Sequence, residues 1–194
     1  IEASVRRAEN KRFRMLPYEA PNNTVLEVDV ARLLGLPFCN VHNPLDETGR
    51  RLLQAAIDAA AQANPAWTLG DLLRLIGGLP EARHAERAYG LRPVLYLGEP
   101  DRPAGRTVFV HGALSAPSAP IVRFYWQRGF QTVVMLHGDF DTLEALRKDA
   151  GGHLVLTGHY LGDSLGMAPF LRALRGRGAE VICVGGIIDV AGAA

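Results

Sequence analysis

The feature that most constrains this 194-residue chain is a set of short apolar runs that each lead into a histidine. Runs of this length are typical of buried strands in an α/β sheet. Because the carboxyl ends of parallel strands form the ligand-binding edge of such sheets, several imidazoles would converge on one crevice. The pattern therefore predicts a metal site at that edge. The runs are residues 38–41, 108–110, 132–136 and 154–157, and they lead to His42, His111, His137 and His159.

Helical segments alternate with these runs. A helix that Asn22 or Asn23 could cap runs to Gly35, and Thr68 with Asp71 resembles a capping box for the helix that follows it. Strands that alternate with helices of about ten residues indicate α/β layers with parallel pairing. We further expect helices over residues 52–63, 69–76, 119–128, 141–149 and 167–175, strands over 94–97, 107–110 and 180–184, and a polar connection over 77–90.

Composition excludes several functions. The formal net charge is +1 without a basic stripe, so electrostatic capture of nucleic acid or of an anionic membrane has no support. No apolar run approaches the roughly 20 residues of a membrane helix, and the charged N-terminal residues are not expected to be a signal peptide. We therefore expect a cytoplasmic protein in which Cys39 and Cys183 are buried free thiols. The start at Ile1 suggests a chain cut from a longer protein.

Two His-x-x-x-Asp spacings, His42 with Asp46 and His159 with Asp163, lie where a strand gives way to a helix. Imidazole and carboxylate are ligands for zinc, iron or manganese, and a fixed spacing lets both groups reach one ion. The alternative interpretation makes Asp163 the N-cap of the next helix, His159 a hydrogen-bonded strand end and Asp46 a turn residue. Two copies of one spacing favour the metal more than either copy alone.

The other histidines are weaker candidates. His137 precedes Gly138 and is either a further ligand, an acid/base group or a hydrogen-bonded core histidine. His111 carries less support. His84 lies in a charged helical stretch and is expected to be exposed, and His153 begins its strand, away from the edge where the others lie.

Residues 162–165 spell the Gly-Asp-Ser-Leu motif of a class of serine esterases. In those enzymes, by resemblance, the motif lies near the N-terminus and an Asp-x-x-His pair follows near the C-terminus. Here no histidine follows Ser164. A hydroxyl without a base to accept its proton is a weak nucleophile, so we reject the esterase hypothesis.

The chain resembles the NGG-one-interacting-factor-three-like family, whose members are also described as type-two homologues of GTP cyclohydrolase I. The resemblance extends over most of the chain and is clearest in residues 31–37, 40–46, 135–137 and 157–166. It implies a two-lobed α/β protein with mostly parallel or mixed sheets flanked by helices and a metal cleft between the lobes. Residues 1–66 and 158–194 would form the metal-site lobe, and residues 67–157 would form the second lobe.

The resemblance also implies a ligand set. Asp46 matches a carboxylate ligand, His159 a histidine ligand, and Asp163 a carboxylate that bridges two ions. His42 matches a ligand or a group beside the ligands. Many members have Glu where this chain has Asp163, and their His-His-Pro motif is absent here. We expect that motif upstream of Ile1, which would give two ions (Zn, Fe or Mn) in the full-length protein.

Metal-assisted hydrolysis of a nucleotide or phosphate-type small molecule is the activity that this resemblance and the metal chemistry imply. His137 or His42 would carry the proton. A homo-oligomer, a hexamer in many members, is expected by resemblance, and neither a nucleic-acid nor a membrane partner is expected. The competing hypothesis is a non-enzymatic assembly or regulatory protein that holds a metal for stability or sensing.

Overall fold

The computed structural model describes residues 26–111, 117–149 and 151–190, and the chain divides into two compact units, residues 1–41 and 42–194. In the first unit, helix α1 spans Leu26–Leu33 and ends at Gly35, whose φ of +65° favours glycine. This helix confirms the sequence-based prediction, although its predicted cap lies outside the described residues. The predicted strand over residues 38–41 is wrong, because this stretch has no strand pairing within the described part of the chain.

The second unit is built on a four-stranded mixed sheet with the order β1-β4-β3-β2. Strands β2, β3 and β4 are parallel, whereas β1 pairs antiparallel with β4 at the opposite edge from β2. The predicted strand over residues 180–184 is wrong, since these residues lie in an extended segment without strand pairing among the described residues. The strands are β1 (Val94–Leu97), β2 (Thr107–Val110), β3 (Thr132–Met135) and β4 (His153–Leu156).

Six helices of this unit are described. The predicted capping box is confirmed, since Thr68 accepts from the Asp71 N–H and the Asp71 carboxylate accepts from the Thr68 N–H. The predicted polar connection over residues 77–90 is wrong: it contains a helix that Pro80 begins and Gly90 ends, with Ala82 and Ala85 buried. The helices are α2 (Asn43–Ala63), α3 (Leu69–Gly77), α4 (Pro80–Tyr89), α5 (Ala119–Gln127), α6 (Phe140–Asp149) and α7 (His159–Arg175). Within the described ranges, no helix has the length and apolarity to cross a membrane.

Helices cover both faces of the sheet. Alternation along the strands sends Phe109, Val134 and Val155 into one core, which Leu53 of α2 and Leu161 of α7 also enter. The neighbouring strand residues enter a second core beneath α5 and α6. The mixed α/β fold class is therefore confirmed. The first core joins residues from both predicted lobes, and the lobe boundaries themselves stay a prediction.

Helices α2 and α7 cross in close contact through glycine. A Cβ added to Gly49 would lie 2.9 Å from the Gly166 backbone nitrogen, and a Cβ added to Gly166 would collide with the Leu45 carbonyl oxygen. Both obstructing atoms belong to the backbone and cannot turn aside as a side chain can. The two helices can approach this closely only because neither residue has a side chain.

Substituting Gly166→Ala should lower the free energy of unfolding by about 3 kcal/mol, at the upper end of the usual cost of overpacking, because the helices must separate. Urea unfolding measures this change. The matched control is Gly77→Ala, since a Cβ at this helical glycine meets no atom within 4 Å. Equal stability of Gly166→Ala and the parent would show that the crossing tolerates a side chain.

Candidate metal centre

Three side chains from three elements meet at the carboxyl-terminal edge of the parallel strands. Asp46 belongs to the first turn of α2, His111 directly follows β2, and Asp163 lies near the start of α7. One ligand atom from each residue lies within 4.8 Å of the other two. These groups therefore lie at the edge where α/β sheets generally bind their ligands.

The glycine crossing positions both carboxylates. Asp46 precedes Gly49 by three residues and Asp163 precedes Gly166 by three, so each carboxylate lies on the same helix face as its glycine, about one turn away. The two helices therefore present the same pattern, His-x-x-x-Asp-x-x-Gly, to each other. Contact at the glycines fixes the separation of the acids.

A side chain on α2 also fixes this helix against the histidine strand. Gln54 donates to the Thr107 carbonyl (3.2 Å) and accepts from the Phe109 N–H (2.8 Å). Strand β2 is an edge strand, so its outer backbone groups would otherwise lack a strand partner. Because this amide occupies two of them, the start of α2 is held in register with the end of β2, where His111 follows.

The His111 ring lies between the two acids. Its Nδ1 is 3.7 Å from Asp46 Oδ2 and its Nε2 is 3.8 Å from Asp163 Oδ1. These four atoms are buried and make no well-aligned hydrogen bond to a described residue, although the Gly162 backbone is a further polar neighbour of the His111 ring. His42 Nε2 lies 3.2 Å from Asp46 Oδ2, but without the alignment of a hydrogen bond. Buried polar atoms without partners are costly and rare, and a bound ion is one explanation for them.

The donor set fits a small divalent ion. Two carboxylates and an imidazole suit zinc, iron or manganese, whose bonds to such atoms are about 2.0–2.2 Å long. Ligand atoms on one tetrahedral ion would therefore lie about 3.3 Å apart. The separations of 3.7 and 3.8 Å reach Asp46 and Asp163 from different nitrogens of the His111 ring, and one ion takes only one of these nitrogens. With one ligand atom from each residue, the three atoms lie within 4.8 Å of one another, so the side chains would draw together around a bound ion.

Electrostatics at the centre favour a cation. Burial raises the pKa of Asp46, and the neighbouring Asp163 carboxylate adds to this, while His111 and His42 oppose it. Burial lowers the pKa of His111 despite the two carboxylates beside it. At neutral pH the ring is therefore neutral, which is the form that binds metals. The buried Asp46 and the partly exposed Asp163 therefore receive no compensating positive charge from the ring.

The structure brings both predicted carboxylates together and places the predicted histidines at the rim. His42 is the N-cap residue of α2, and His159 is the first residue of α7. Each Nε2 lies 3.2 Å from the carboxylate of its own helix, and the side chains are 43% and 59% exposed. The alternative that made Asp163 an N-cap is wrong, because Gly158 occupies that position. The metal-ligand roles of His42 and His159 stay predictions.

The predicted proton carrier His137 also lies near the centre. Backbone pairing of β3 and β4 continues past the strands, with Thr157 N–H donating to Met135 O and Gly158 N–H to Leu136 O. This brings His137 beside His159, and their rings stack at 4.8 Å between centroids. Burial lowers the pKa of His137, and repulsion from the neighbouring His159 lowers it further. Its catalytic role stays a prediction.

His111 carried less support in the sequence because no carboxylate lies four residues after it. The signal that identifies it is its position directly after a strand that lies beside β3 in the sheet, and this order of strands is a tertiary property.

Ser164, by contrast, is buried and accepts a hydrogen bond from the Ile188 N–H at 3.1 Å. A buried hydroxyl in this position agrees with the rejection of the esterase hypothesis.

No family model matches the sequence, and no curated protein matches it. Among solved structures, the chain is similar to a NIF3 superfamily protein from Sphaerobacter thermophilus, with 34% sequence identity and a TM-score of 0.80. The match covers 90% of this chain and 62% of that one. NIF3 abbreviates the NGG-one-interacting-factor-three name, so the resemblance inferred from the sequence is confirmed.

Replacing Asp46 by Asn should change the pH dependence of stability in chelator-treated protein. A carboxyl whose folded-state pKa is raised stabilises the fold when protonated, and this contribution is lost as the pH rises through that pKa. The melting temperature of Asp46→Asn should therefore rise relative to that of the parent as the pH rises above the ordinary carboxyl pKa of about 4, and it should equal or exceed the parent's value once the carboxyl is ionised. Asp58→Asn, an exposed change on the same helix, should show no such trend. A lower melting temperature for Asp46→Asn throughout would identify Asp46 as a structural acceptor.

Proposed function

We propose that this chain, which belongs to the NIF3 superfamily, binds a divalent transition metal through Asp46, His111 and Asp163 and uses it to hydrolyse a nucleotide or phosphate-type small molecule. The observation that most supports metal binding is the set of four buried atoms without hydrogen-bond partners at the meeting point of these side chains. The hydrolase activity is supported by the family, because its members are also described as homologues of a cyclohydrolase.

Three protein ligands suit catalysis better than a purely structural site. Catalytic zinc sites commonly use three protein ligands and leave a position for water or substrate. When bound, the ion would lower the pKa of its water and polarise the substrate. Asp163 is the ligand most open to solvent, with its side chain 40% exposed, so we place the substrate on its side of the centre.

The rim histidines offer a second ligand set. His42 with Asp46 and His159 with Asp163 form two His-carboxylate pairs, one at the start of each helix. We propose that these pairs complete the coordination and, in a longer protein, help to hold two ions. The two imidazoles are exposed, so each can turn toward an ion without displacing core residues.

Proton transfer is assigned to His137 or His42, and His42 would take this role only where it is not a metal ligand. His137 has a pKa below the usual histidine range because of burial and the neighbouring His159, so it is neutral near pH 7 and can accept a proton. His42 lies beside Asp46 and is open to solvent, which suits exchange of that proton with water.

A specific observation favours the non-enzymatic alternative. The side chains of Asp46 and His111 are only 6% and 1% exposed, so two of the three ligands offer no surface to a substrate. A protein that keeps a metal for stability or sensing would need no more access than this. Assembly as a homo-oligomer, a hexamer by family resemblance, and a cytoplasmic location remain predictions under either hypothesis.

Metal binding is tested by the melting temperature of chelator-treated protein with added Zn²⁺, Mn²⁺ or Fe²⁺ and by metal analysis of the purified protein. A ligand that binds only the folded state at 100 times its dissociation constant adds about 2.7 kcal/mol of stability. We expect this gain in the parent and its loss in Asp46→Asn, His111→Gln and Asp163→Asn. His153→Gln, at the opposite end of β4, should keep it. The same gain in His111→Gln as in the parent would remove His111 from the site.

Turnover is tested by a phosphoesterase and nucleotide-hydrolysis screen of the metal-loaded protein. Asp46→Ala and His159→Ala should lose activity by about 100-fold or more, and His137→Gln should lose activity while it still binds metal, because general acid–base groups contribute about 10²–10⁴-fold. Bound metal without turnover would support the binding protein. Equal turnover in parent and variants would exclude these residues from catalysis.

A further inference from the structure

A cavity of about 350 Å³ adjoins the metal centre on the side of Asp163. One wall is formed by side chains of α7, from His159 to Met167, and the other by residues 185–187 of the C-terminal segment. This volume is at the lower end of the range of small-molecule sites. Because Asp163 belongs to both the cavity and the metal group, a molecule held here would lie beside a bound ion.

The glycine wall of the cavity is held in place by contacts with α7. The Ser164 hydroxyl accepts a hydrogen bond from the Ile188 N–H, and the Ile188 side chain is completely buried. Arg175 pairs with Asp189 one residue further along. Residues 185–187 are thus tethered directly beside Ser164, although this segment has no strand or helix of its own.

Tyr160 lies between two neighbours at one side of the cavity. Its ring stacks on Tyr89 with 5.5 Å between centroids, and the Gly186 backbone packs against the ring so closely that a side chain at Gly186 would overlap it. Gly186 has a φ of +91°, which a side chain would strain as well. The Gly186 backbone and the Tyr160 ring therefore pack directly against each other at one side of the cavity.

The chemistry of the lining limits what can bind. Tyr160, Met167 and Ile187 supply apolar surface, and none of the described lining residues is Lys or Arg. Arg175, which follows on the same helix, is already paired with Asp189. Phosphate groups away from a metal are usually bound by Arg or Lys, so a second phosphate or a carboxylate would find no cationic partner of that kind here.

We propose that this cavity binds the body of the substrate and selects phosphomonoesters whose body is compact, uncharged and partly apolar. The inference rests on the proposed function, because the ion would hold the phosphate while the cavity holds the remainder. Within the phosphate-type compounds, it favours simple monoesters over nucleoside di- and triphosphates, which carry further negative charge.

Calorimetric titration of Mn²⁺-loaded protein with three probes tests the proposal. Phenyl phosphate should bind about tenfold more tightly than inorganic phosphate, because its ring leaves water for apolar surface. 4-Carboxyphenyl phosphate should lose most of this gain, because it brings a negative charge into a cavity without Lys or Arg. Equal affinity for phenyl phosphate and inorganic phosphate would overturn the inference and leave the proposed function standing.

Two variants link the preference to the cavity. Ile187→Ala should weaken phenyl phosphate binding about fivefold and leave inorganic phosphate binding unchanged, whereas Ile182→Ala, an exposed residue outside the lining, should change neither. Ser164→Ala should speed amide exchange at Ile188 and also weaken phenyl phosphate binding. An unchanged phenyl phosphate affinity in both Ile187→Ala and Ser164→Ala would overturn the assignment. If no probe binds the metal-loaded protein, the phosphate-type function and this inference both fail.

Discussion

The close crossing of α2 and α7 is the contact on which the rest of this structure depends. Two glycines let the backbones touch, and each stands one helical turn from an acid of the metal centre. Bringing the buried Asp46 near the partly exposed Asp163 costs free energy, because like charges repel, most strongly where the medium has low polarity. Here packing of the helices on a shared core opposes that repulsion, with Leu53 and Leu161 in the same apolar cluster. The same interface therefore stabilises the fold and holds the two acids near each other.

The sheet and the helices contribute different residues to the site. The sheet supplies His111 and His137 at the ends of adjacent parallel strands, and the helices supply the acids. Gln54 ties these two sources together, since its amide bonds to the edge strand from the helix that carries Asp46. A change in the core beneath α2 would thus reach Asp46 and, through Gln54, the strand that precedes His111.

Much of this could be predicted from local patterns. Apolar runs and capping residues identified β2, β3 and β4 and the capped helix α3, because these signals are encoded within a few residues. The strand at residues 180–184 was mispredicted for the opposite reason: Ile182 and Val184 have strand propensity, but propensity forms a strand only with a partner. His111 was undervalued because its acids come from two helices far away in sequence. Strand order, not spacing, brings it between Asp46 and Asp163.

The position of His111 between two acids makes its tautomer important for cation binding. A neutral imidazole carries one proton, yet each of its two nitrogens faces a carboxylate. The ring directs its N–H toward one acid, and the other acid then faces the lone pair of the second nitrogen. The tautomer of this single ring would therefore set which of its nitrogens is free to join Asp46 and Asp163 around a cation.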